Sequence, residues 1–101
     1  MYSKEVEETL NRFRDNDISE QEFCELAILK NKYIPVLIDV VEKQESALSF
    51  RCMKVLYLIS EKSPEILYDS FFIFAGLLDH HNQMISWNAM DILAQLCRID
   101  E

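Results

Sequence analysis

Ile85-Ser86-Trp87-Asn88-Ala89-Met90-Asp91-Ile92-Leu93-Ala94-Gln95-Leu96 repeats, 37 positions further along the chain, the pattern of Leu48-Ser49-Phe50-Arg51-Cys52-Met53-Lys54-Val55-Leu56-Tyr57-Leu58-Ile59. Both stretches place apolar residues at helical spacing. The register holds without a gap into the preceding segment, where Val40-Val41-Glu42 falls on Leu77-Leu78-Asp79. Two amphipathic helices agree easily, so the equal loop length and the pairs Ser49/Ser86 and Phe50/Trp87 carry most of the weight. A period near 37 is that of stacked helix pairs, each burying a face it cannot bury alone. Residues 31–62 are read as the first repeat and 63–101 as the second. Residues 1–30 do not repeat and are expected to cap the first pair.

The other helices are marked by their boundaries. Val6, Leu10 and Phe13 form one apolar stripe on a charged helix from Ser3 to about Arg14, which Asp15-Asn16-Asp17 ends. Ser19 and Glu22 form a capping box, flanked by Ile18 and Phe23 as a hydrophobic staple. This second helix points Phe23, Cys24, Ala27 and Ile28 inward and fades near Asn31. Pro35 is read as the next helix start, followed by Val36, Leu37, Val40 and Val41. Ala47 to Lys62 reads as a long helix with Leu48, Cys52, Val55, Leu56 and Ile59 on its inner face. Ser63-Pro64-Glu65 predicts another start, with a cap, a first-turn proline and an acid at the positive end. That helix is expected to reach about Leu78, and a last one to span about Gln83 to Arg98.

Composition agrees. In 101 residues there is one Gly and there are two Pro, so the tight turns of sheets have little to be made from. The expected fold is all-helical: one domain over residues 1–101, a short α-solenoid of about six helices.

The helical segments resemble HEAT and armadillo-like repeats. Pro35-Val36-Leu37 is similar to the opening of the family's first helix, and residues 85–96, more loosely 48–59, are similar to its second. The family's Arg is Ser49 and Ser86 here, and its preceding Asp is Glu45 and Asn82. The Asp–Arg ladder between repeats is therefore missing, which implies a short self-contained stack and not a piece of a long array. The resemblance also implies that the second helices line the partner-binding side.

Charge and chemistry narrow the function. Net charge is −8, from 18 acidic and 10 basic residues, and residues 63–101 hold six acids against Arg98 alone. That disfavours nucleic acid and anionic membranes, and suits a basic protein partner. A plain solubilising role for the acids is the competing account. The longest apolar run, Phe71 to Leu78, is far below the roughly 20 residues of a membrane span. The opening residues, Met1-Tyr2-Ser3-Lys4-Glu5, carry no apolar leader. Cys24, Cys52 and Cys97, three and far apart, suggest free buried thiols in a reducing cytoplasm. His80 and His81 form an adjacent pair without further ligands at metal-site spacing, so no metal and no cofactor is expected. No carboxylate pair or phosphate-cradling glycine loop occurs, and Gly76 is the sole glycine. An enzyme is not expected.

Two surfaces are candidates for binding. If the inner residues of 47–62 face the core, Arg51, Lys54 and Leu58 face out, with Tyr57 beside them. Their counterparts are Asn88, Asp91 and Gln95, flanked by Trp87 and Ala94. Trp87, like Phe50, has packing between repeats as its alternative. The second surface is Phe71-Phe72-Ile73-Phe74, whose consecutive apolar residues point all round a helix. Phe71, Phe72 and Phe74 are read as oligomer contacts, with burial inside the stack as the alternative. The expected function is a protein-binding module, most concretely an inhibitor or immunity protein covering a basic enzyme such as a nuclease toxin. A scaffolding subunit or homo-oligomer is the second reading.

Overall fold

The computed structural model describes residues 3–43, 47–80 and 82–98. Met1, Tyr2, Glu45, His81 and the acids Asp100 and Glu101 lie outside them. The elements are α1 (Lys4–Arg14), α2 (Glu20–Leu29), α3 (Tyr33–Lys43), α4 (Ala47–Lys62), a 3-10 segment (Pro64–Ser70), α5 (Phe71–Leu77) and α6 (Gln83–Cys97). No strand occurs among the described residues.

Helix α1 starts where the Ser3 hydroxyl accepts the Val6 N–H at 3.3 Å. It stops in a left-handed turn. Asn16 has φ 65°, and the Asp17 and Asn16 N–H groups return to the carbonyls of Arg12 and Phe13 at 2.8 and 3.1 Å. This is a Schellman closure, with asparagine in the position that tolerates positive φ. The capping box of α2 forms as expected: Ser19 Oγ accepts the Glu22 N–H, and Glu22 Oε1 accepts the Ser19 N–H, each at 3.1 Å.

Two helix starts differ from expectation. Helix α3 begins at Tyr33, two residues ahead of Pro35. The Tyr33 and Ile34 N–H groups bond the carbonyls of Lys30 and Asn31, which draws both residues into the first turn. The proline still sits where a helix leaves N–H groups unbonded, so its missing donor costs nothing. The expected helix from Ser63 to Leu78 is split into the 3-10 segment and α5. Ser63 makes no side-chain cap bond, and its carbonyl accepts from Ile66 in a tight three-residue turn. Leu67 is the segment's one buried residue, so no stripe of period 3.6 favours the wider helix.

Helix α4 is the axis of the molecule. It packs against α2, α3, α6 and the 3-10 segment, while α5 packs on α6. Being flanked on several sides, it buries Ser49, Met53 and Ser60 as well as the five residues of its expected inner face. One apolar cluster runs from Val6 to Leu96. At its α1 end, Phe13, Phe23 and Tyr33 stack edge to face, with centroids 4.8 and 5.7 Å apart. Such pairs contribute about 1 kcal/mol each beyond their buried area.

Ser49 and Ser86, paired in the 37-residue register, have a shared task. Ser49 Oγ donates to the Val40 carbonyl at 3.2 Å, and Ser86 Oγ donates to the Leu78 carbonyl at 2.7 Å. Each ties a second helix to the end of the helix before it, where carbonyls lack helical partners. The fastening lies within a helix pair, not between pairs.

Candidate functional site

The residues expected to face a partner from α4 divide into two groups. Arg51 turns back into the fold. Its Nη1 donates to the Phe13 carbonyl at 2.6 Å and its Nη2 to Glu20 Oε1 at 3.2 Å, while the guanidinium lies 4.0 Å from the centre of the Phe13 ring. The side chain is 21% exposed and fastens α1 and α2 to α4. Residues 38 positions apart meet here, which local periodicity cannot anticipate. Lys54 remains outside, and Tyr57 is half-buried at the edge of the core. Lys54 Nζ stands 5.2 Å from the centre of the Tyr57 ring, and Tyr57 Oη donates to Glu61 Oε2 at 3.3 Å.

The Tyr57 phenol is pushed up from its ordinary pKa, first by the Glu61 carboxylate, then by partial burial and, more weakly, by Asp91. Asp91 belongs to α6, so α4 and α6 share a polar outer face. Asn88 and Gln95 stand half-buried beside it, and Gln95 Oε1 accepts from Arg98 at 3.5 Å. Of the expected set, Lys54, Tyr57, Asn88, Asp91 and Gln95 stay on the surface of α4 and α6.

Trp87 is 59% exposed. Packing between repeats therefore does not describe it. It opens a second apolar stripe on α6, Trp87, Met90, Ala94 and Cys97, at spacings of three, four and three, so all four share a face. Every member is exposed, Met90 at 56%. The first stripe, Ile85, Ala89, Ile92 and Leu96, is buried. The 3-4-3 spacing of the exposed stripe is present in the chain beside that of the buried one.

The aromatic run resolves residue by residue. Phe74 is fully buried, which corrects its reading as an oligomer contact. Its neighbour Phe72 is 85% exposed, and Phe71 is half-buried. Tyr68, Asp69, Phe71 and Phe72 meet Cys97 around an open groove of about 480 Å3. The groove adjoins the exposed stripe through Cys97. Seven of the eight large apolar residues exposed among the described residues lie between Tyr68 and Met90; Leu29 is the other.

The cysteines separate in the same way. Burial raises the Cys24 thiol and pushes the Cys52 thiol up to about 12, so neither forms a thiolate near neutrality. Cys97, expected to be buried like them, is exposed, because it falls on the outer stripe of α6. His80 Nδ1 accepts the Asn82 N–H at 3.0 Å, which ties it into the turn before α6; His81 is outside the described residues. Among the described residues no three His, Cys, Asp or Glu converge as metal ligands would. None of the described helices is long and apolar enough to cross a membrane. Comparison with known protein families, characterised proteins and solved structures finds no match to this chain.

Proposed function

We propose that the chain is a protein-binding module: a short HEAT/armadillo-like stack of two helix pairs, with α1 laid against the first. The observation that carries this reading is the contrast between Met53, fully buried in α4, and Met90, 56% exposed at the matching place in α6. Apolar surface gathered in one region of a small protein marks a place where another molecule docks. Net charge −8 favours a basic protein as that molecule. The most concrete form is an inhibitor or immunity protein that covers a basic enzyme, for instance a nuclease toxin, in the cytoplasm. Affinity capture from the native cell tests it. A stoichiometric basic partner whose binding weakens with salt supports the reading. No partner, or only acidic ones held regardless of salt, removes it.

A second reading, a scaffolding subunit or homo-oligomer, is favoured by the same exposed stripe. Light scattering separates the two: a monomer over the whole concentration range leaves self-association without support.

A further inference from the structure

We propose that the outer stripe of α6 seats one helix of a partner protein, apolar along one face and basic beside it, in the position a third helix pair would take. This rests on the reading of the chain as a stack that binds a protein, and it names the surface and the occupant.

In the repeat register, Trp87, Met90, Ala94 and Cys97 correspond to Phe50, Met53, Tyr57 and Ser60. In α4, Met53 and Ser60 are fully buried, and Phe50 and Tyr57 are half-buried. The difference lies in the neighbours: α4 packs chiefly against α2, α3, α6 and the 3-10 segment, whereas among the described residues α6 packs chiefly against α4, α5 and the 3-10 segment. The stripe on α6 thus matches, in the repeat register, a face that α4 covers in whole or in part. From Trp87 to Cys97 it rises about 15 Å, so three turns of helix, about 11 residues, would cover it. Phe72, beyond Cys97 across the groove, gives the occupant's end a further apolar hold.

Charge decides what kind of helix this is. Asp91 lies next to the stripe and Asp69 lines the groove, within a chain of net charge −8. A helix with Lys or Arg beside its apolar face answers those carboxylates. A second copy of the chain does not. Joined through this face with its own kind, the molecule would bring together two chains of net charge −8 with Asp91 beside each stripe. Joined head to tail, it would meet α1, whose outward residues Lys4, Glu5, Glu7, Glu8 and Arg12 are charged and exposed.

The test uses the whole chain and a displayed library of about 15-residue helices with a fixed apolar stripe and randomised flanks. Trp87 is the only tryptophan, so its fluorescence reports on the site directly. The expected result is enrichment of Lys- and Arg-flanked helices that shift Trp87 emission to the blue. Met90→Asp, at an exposed position and checked by circular dichroism, should weaken them at least about tenfold, as should reversing the flanking charges. Neutral or acidic winners, no enrichment, or binding indifferent to Met90→Asp would overturn the proposal. So would self-association of the wild type that shields Trp87. A native partner captured equally well by Met90→Asp would overturn this assignment and leave the broader protein-binding reading standing.

Discussion

Met53 and Met90 hold the same place in consecutive helix pairs, and one is enclosed while the other faces solvent. The pairs differ throughout in this sense. Helix α3 buries seven residues, from Tyr33 to Val41, whereas α5 buries Phe74 and Leu77. Ser60 is enclosed and its counterpart Cys97 is exposed. Pattern similarity along the chain thus coexists with opposite surroundings. An apolar residue at a repeat position is a core residue only if a neighbour exists to cover it.

Truncating both methionines puts this contrast to its hardest test. Met53→Ala should cost about 2–5 kcal/mol in urea unfolding, because it opens a cavity in a fully packed site. Met90→Ala should change stability by less than about 0.5 kcal/mol. Equal effects would mean that the two positions are not structurally distinct. The next largest effect concerns how the covered end is held. Arg51→Met, which keeps the stem over Phe13 but removes both hydrogen bonds, should cost about 2 kcal/mol. Its signature is faster hydrogen exchange in α1 than in α6; uniform acceleration would argue against a local role.

The serines refine the contrast between the pairs. Ser49→Ala leaves the Val40 carbonyl without its donor in a buried setting and should cost about 1 kcal/mol. Ser86→Ala acts at an exposed bond and should cost a few tenths of that scale. The smallest effect is acid sensitivity at α1. Glu5 accepts from Lys30 and Lys32, and these bonds lower its pKa from an ordinary 4.5 to about 2. With the folded value below the unfolded one, the contribution is complete above about 4.5 and is lost as pH falls through about 2. Amide chemical shifts of α1 should follow this window while those of α6 do not.

Where local chemistry decides structure, the sequence is readable. The Ser19/Glu22 box lies within four residues, and the limits of α4, Ala47 and Lys62, coincide with those expected. Helix content follows from spacing and from the scarcity of glycine. Contacts between distant residues are not readable. Arg51 looks outward on a helical wheel because nothing nearby names Phe13 or Glu20 as its partners. In Phe71-Phe72-Ile73-Phe74 every position is apolar, so no contrast says which ring turns in; packing alone buries Phe74 and leaves Phe72 out. The outer stripe of α6 is hidden for a related reason. Ile85, Ala89, Ile92 and Leu96 already supply one inner face, and nothing in the spacing of Trp87, Met90, Ala94 and Cys97 says whether a neighbour covers a second.

The serine fastenings also bear on how such a molecule can change length. A ladder that joins each unit to the next by paired charges obliges neighbours to match, so adding or losing a unit leaves a residue without its counterpart. Ser49 and Ser86 answer carbonyls of their own helix pair. Each pair thereby carries its own fastening, made without a matching charge on its neighbour.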